Sequence, residues 1–257
     1  MTLIKAAKPF LILLMGLLVS GACNSGGPST ESGTATKHSA TIPSKQTASW
    51  AYKDDDWQLR RHAAFNEIAQ RGNIDLVFLG DSITQGWEDV RDVWDKYYAR
   101  RKAANFGMNL DRTQNVLWRI EDGNFEGIHP KAIIILIGIN DSFAGNTAQE
   151  IADGVIAVVQ KLREKVPESK ILLLAIFPSG EQPENPQRVR AMAANTIFQK
   201  VADGRMIRYL DIGDRFTNRD GFISKEMMPD FVHLSPRGYG LWAEAIEPVV
   251  KDLMGEE

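Results

Sequence analysis

Between Ile74 and Ile212 the chain alternates short apolar runs with longer stretches in which apolar residues recur every three or four positions. The runs are "IDLVFLG" (74–80), "AANFG" (103–107), "KAIIILIG" (131–138), "KILLLAIFP" (170–178) and "MIRYLDI" (206–212). Several are apolar throughout, the pattern of strands covered on both faces. The stretches between them predict helices. Near 112–122, Val116, Leu117 and Ile120 share a face; over 148–165, Ile151, Val155, Val158, Val159 and Leu162 recur at helical spacing behind Thr147 and Glu150, a capping box. Ser235 followed by Pro236 marks the start of a last helix. Five strands alternating with helices predict a three-layer α/β/α fold, with a flavodoxin-like, doubly wound parallel sheet of about five strands.

The residues ahead of Trp50 follow neither period. In 1–22, Lys5 and Lys8 precede the apolar run "FLILLMGLLV", too short to span a bilayer, and "SGAC" follows, as in an export signal peptide. Cys23 is the sole cysteine, so no internal disulfide forms; its place resembles the lipid-modified cysteine of bacterial lipoproteins, which would attach the protein to a membrane. Ser20-Gly21-Ala22 also fits the cleavage site of ordinary secretion, and both alternatives stay open. Residues 23–49, rich in Ser, Thr, Gly and Pro, predict a flexible tether in which His38 is solvated. That leaves one domain over 50–257.

Composition narrows the partners. With 44% hydrophobic and 25% charged residues over 257 positions, the chain suits one core of ordinary size, and a formal net charge of -3 offers no footprint for nucleic acid.

In sheets of this kind ligands bind beyond the carboxyl ends of the strands. Gly80-Asp81-Ser82 follows the first strand, Gly107 the second, Gly138-Ile139-Asn140-Asp141 the third, and Asp230-Phe231-Val232-His233 precedes the last helix. A serine hydroxyl needs a base to become nucleophilic, and an imidazole serves best with a carboxylate fixing its tautomer. His62 and His129 lie away from this edge and are expected to be structural; His233 is placed to meet Ser82, and Asp230 to reach its other ring nitrogen. Acyl transfer also needs donors for the developing oxyanion. The Ser82 N–H, the Gly107 N–H and the Asn140 amide are candidates. Neither a metal nor a cofactor is expected.

"GDSIT", "NFG", "GIND" and "DFVH", in this order, resemble the four blocks of the SGNH, or GDSL, hydrolases, over about residues 73 to 250. The stretches "NFGMNLDRTQNVLWRI", "HPKAIIILIGIND" and "FPSGEQPENPQRVRAMAAN" look closest to the branch containing the platelet-activating factor acetylhydrolase catalytic subunits. The resemblance implies Ser82 as nucleophile, His233 as base, Asp230 as orienting acid, and the Ser82 N–H, Gly107 and Asn140 as oxyanion hole. Relatives in that branch commonly carry two small residues where this chain has Asn109 and Leu110, which puts the aim of the Gly107 N–H in question.

The function expected is an exported serine esterase acting on small acyl esters, acetyl foremost, with an acetylated glycan as the preferred substrate class. A lysophospholipase or thioesterase of the same family is one alternative. Others are a flavodoxin-like phosphate carrier using Ser82 and Thr84, and a catalytically silent glycan-binding lipoprotein. Ile83, Ile139 and Val232 flank the expected site residues and either line a tight acyl pocket or pack in the core.

Overall fold

The five apolar runs do form the sheet, in the order β2-β1-β3-β4-β5 with every neighbouring pair parallel. The strands are β1 (Leu76–Gly80), β2 (Ala103–Gly107), β3 (Ala132–Leu136), β4 (Lys170–Leu174) and β5 (Ile207–Leu210). The computed structural model describes residues 38–47 and 56–256. The strands are shorter than the apolar runs because burial outlasts pairing: Ile137 and Ala175 to Phe177 are still in the core beyond the regular ladder. Helices cover both sides, so β1 and β3 are buried along their whole length.

The helices are α1 (Trp57–Arg71), α2 (Ser82–Gln85), α3 (Arg91–Tyr97), α4 (Thr113–Arg119), α5 (Ile139–Phe143), α6 (Ala148–Lys165), α7 (Pro186–Phe198) and α8 (Pro236–Met254). The capping box is present: the Glu150 N–H donates to Thr147 Oγ1 at 3.2 Å and the Thr147 N–H to Glu150 Oε2 at 2.8 Å. All five apolar residues of the α6 stripe are fully buried, each contributing about 1.5–3 kcal/mol relative to exposure. Ser235 caps α8 by accepting the Gly238 N–H. Among the described residues no helix is long and apolar enough to cross a membrane.

The order 2-1-3-4-5 reverses direction between β1 and β3, which opens a crevice at their carboxyl ends. Ser82 follows β1 and Asn140 follows β3, so the two block residues stand on either side of that crevice.

The expected signal segment and most of the tether lie outside the described residues. The tether is corrected over 38–47, which is seated on the domain. Ala40 is fully buried and its carbonyl accepts the Thr113 hydroxyl at 2.9 Å. His38 pairs with Asp153 of α6 at 3.1 Å instead of standing in solvent. A polar segment need not enter the core to dock, since its backbone and amide groups find partners on the surface of α4 and α6.

Candidate active site

Asp81 sets the corner on which Ser82 stands. Its Oδ1 caps α2 by accepting the Ile83 N–H at 3.0 Å, and its carboxyl is fully buried. Burial pushes it up to about 7, although the Ile83 N–H and nearby His233 favour its charged form. Tyr239 of α8 donates its hydroxyl to the Ile83 carbonyl at 2.7 Å, fastening the last helix to the same corner. Ser82 is the first residue of α2, so its own N–H has no partner within the helix. A capping carboxyl takes a donor that a bound phosphate would need, which counts against the phosphate-carrier alternative.

His233 reaches Ser82 from the loop ahead of α8. Its Nε2 lies 2.8 Å from Ser82 Oγ and its Nδ1 2.6 Å from Asp230 Oδ2. Asp230 Oδ1 accepts the N–H groups of Val232, at 3.0 Å, and His233, at 2.7 Å. The chain folds back this tightly because Phe231 adopts a positive φ of 62°. Burial opposes both charges, but hydrogen bonding and attraction across the pair outweigh it: Asp230 is held down at about 2 and His233 is raised above its ordinary value. With Asp230 ionised, Nδ1–H donates to it and Nε2 is left to accept a proton from Ser82. The His233 and Asp230 side chains are 46% and 53% exposed, so the base side of the crevice is open to solvent.

Asn140 stands in α5, half-buried, and its Nδ2 donates one hydrogen to the Asp111 carbonyl at 2.9 Å. That bond fixes the amide plane and leaves the second hydrogen available. Asp111 is itself held from below. Arg119, 1% exposed, pairs its Nε with Asp111 Oδ2 at 2.7 Å and donates through Nη2 to the carbonyls of Gly80 and Phe106 at the ends of β1 and β2.

The expectation for Gly107 is corrected. Its N–H donates to Asn105 Oδ1 at 2.8 Å, so that donor is already engaged, and its carbonyl accepts Arg61. A Cβ at Gly107 would overlap the backbone of Thr84 and Gln85; the residue is glycine because β2 runs against the turn after Ser82. Three residues on, Leu110 takes a positive φ of 66°, which costs a residue with a side chain roughly 1–2 kcal/mol. Its N–H has no hydrogen-bond partner among the described residues. The Asn109–Leu110 turn thus offers the unengaged donor that Gly107 lacks.

Elsewhere, His62 is buried between Asp122 and Asn124 with its ring against Trp118, and His129 is exposed ahead of β3. Ile83 and Ile139 are both 2% exposed and belong to the core, while Val232 is partly exposed. Of the two alternatives for these three residues, core packing describes the isoleucines. Among the described residues no three His, Cys, Asp or Glu side chains gather into a metal site.

The GDSL-like lipase/acylhydrolase family model matches residues 78–241. The alpha2 subunit of platelet-activating factor acetylhydrolase IB from Rattus norvegicus is 34% identical over 207 residues, 79% of this chain and 87% of that protein. The structure of a putative platelet activating factor from Streptococcus pneumonia matches with a TM-score of 0.64 at 21% identity, over 75% of this chain and 92% of that one. A catalytic mutant of an acetylxylan esterase from Geobacillus stearothermophilus has the same fold, with a TM-score of 0.56 at 17% identity over 72% of this chain and 96% of that one. On its sequence and its fold, the chain belongs to the GDSL-like lipase/acylhydrolase family and is an ester-hydrolysing enzyme.

Proposed function

We propose that this enzyme is an exported serine esterase that removes small acyl groups, acetyl foremost, from carbohydrate. The observation that carries the mechanism is the unbroken line from Ser82 Oγ through His233 to Asp230, at 2.8 and 2.6 Å. In the first half-reaction Ser82 Oγ attacks the ester carbonyl while its proton passes to His233 Nε2. Negative charge gathers on the former carbonyl oxygen, where the Ser82 N–H, the Leu110 N–H and the free hydrogen of the Asn140 amide donate to it. The tetrahedral intermediate collapses, the alcohol leaves with the proton from His233, and the acyl group stays on Ser82. Water then repeats the sequence and releases the acid. Asp230 remains ionised throughout and stabilises the imidazolium.

Two features support the substrate class. The open base side, with His233 and Asp230 about half exposed, leaves room for a bulky alcohol such as a sugar chain. Relatives and structural neighbours named acetylhydrolase and acetylxylan esterase favour an acetyl group. Export rests on Lys5, Lys8 and the apolar run before Cys23, and lipidation of Cys23 is the form of it we favour. Incubation with a fluorophosphonate, followed by peptide mass spectrometry, should find the label on Ser82. Hydrolysis of p-nitrophenyl esters should fall from acetate to octanoate, and purified acetylated xylan should release acetate. Labelling elsewhere removes the mechanism; faster turnover of octanoate than acetate points to the lipase or thioesterase alternative. In cells, Cys23→Ser should move the protein out of the membrane fraction.

A further inference from the structure

The segment 38–47 is fastened to the domain along its length, and its far end meets the turn beside the nucleophile. The His38 ring holds Asp153, the Ala40 carbonyl accepts Thr113, and Ser44 exchanges bonds with Gln114 and Asn115. Gln46 finishes the series: its Nε2 donates to the Asn109 carbonyl at 2.9 Å and to Asp111 Oδ1 at 2.7 Å.

The first of those bonds bears on the reaction through the geometry of one peptide group. Asn109 C=O and Leu110 N–H belong to the same planar trans unit, so they point in opposite directions. Whatever grips the carbonyl on one side aims the N–H on the other. Leu110 has a backbone conformation that a leucine adopts reluctantly, with φ at 66°, and its N–H is unpaired among the described residues. Asp111 carries the second contact, and its carbonyl orients the Asn140 amide. Gln46 therefore touches both arms of the turn that carries one oxyanion donor and orients another.

We propose that Gln46 is a positioning residue for ester hydrolysis, holding the Asn109–Leu110 peptide so that the Leu110 N–H faces the oxyanion. This rests on the oxyanion assignment made under the proposed function. It gives Gln46 a part in the working enzyme, and it separates two tasks along one segment: Gln46 aims a donor, whereas His38 only anchors.

The test uses the full-length chain and p-nitrophenyl acetate. Gln46→Met keeps the volume and removes the donor; kcat should fall about ten-fold with KM within about two-fold, because a misaimed group weakens the transition state more than the ground state. Phosphonylation of Ser82 by a fluorophosphonate, whose phosphoryl oxygen occupies the oxyanion position, should slow in parallel. His38→Ala should lower the thermal midpoint and leave kcat unchanged. If Gln46→Met does not fold, Gln46→Ala is the second variant. Wild-type kcat and phosphonylation rate in a folded Gln46 variant overturn the proposal, as does an equal loss of kcat in His38→Ala. An Asn140→Ala protein of wild-type kcat would instead overturn the oxyanion assignment itself, so the two failures are told apart.

Discussion

Two loops meet at Ser82, and they are held in opposite ways. The loop Asp230–His233 satisfies itself: one aspartate oxygen takes two of its own N–H groups and the other takes the ring, all within three residues of sequence. The turn Asn109–Asp111 is held by strangers, with Gln46 from 63 and 65 positions away, Asn140 from 29, and Arg119 from eight. Both pivot on a residue with a side chain at positive φ, Phe231 in one and Leu110 in the other. Such conformations persist only where surrounding structure over-determines them. The self-held loop can stay half exposed, while the other gathers its supports at Asp111, which is fully buried although Asn109 and Leu110 are only partly so.

That contrast can be broken most directly at the self-held loop. His233→Ala and Ser82→Ala should each lower kcat by about 10³-fold or more, and the double variant should be little worse than either, because nucleophile and base act as a unit. The thermal midpoint of Ser82→Ala should stay near wild type, since the hydroxyl's hydrogen bond is to the His233 ring alone among the described residues. At the other loop the loss should fall on stability. Arg119→Met strands Asp111 in the core and should cost about 3–5 kcal/mol in urea unfolding. An unchanged midpoint would mean that the turn is held without its buried cation.

Asn140→Ala sharpens the comparison, because Asn140 ties α5 to Asp111 and, in the proposed mechanism, also donates to the oxyanion. Its kcat should drop about 10²-fold, near 2.7 kcal/mol, with KM almost unchanged; a rise in KM alone would make it a substrate-binding residue. The smallest effect expected is on pH. In the proposed mechanism His233 must be neutral to accept the Ser82 proton, and Asp230 raises its pKa, so activity should fall on acidification at a higher pH than an isolated histidine would give. Asp230→Asn removes that attraction, and the acid limb of kcat/KM should move to lower pH while kcat drops. An acid limb left in place would separate the limb from His233.

The self-held loop is also the part most legible in sequence. D-x-x-H ahead of a Ser-Pro helix start contains the carboxylate, the ring and the two N–H groups that it joins, just as the apolar runs contain the reasons for their own burial. Gly107 was misread because the group that engages its N–H is a side chain two residues back, and nothing in "NFG" says which way Asn105 turns. The Leu110 donor left only a trace, a leucine where the resembling branch has a small residue. Gln46 and His38 were invisible for a plainer reason. A polar stretch without period reads as solvated, and whether its amides meet water or α4 and α6 is decided by tertiary geometry.

The hydrogen bond between Ser82 and His233 closes a span of 151 residues, whereas Asp230 and His233 are three apart. Loop-closure entropy grows with that separation and must be met before so distant a contact can reward it. The aspartate–histidine unit can assemble while the sheet is incomplete; Ser82 cannot meet His233 until α8 has docked and Tyr239 has reached the Ile83 carbonyl. Regain of esterase activity during refolding is thus a clock for the closing of the whole chain, and it should lag the recovery of helical and strand signal.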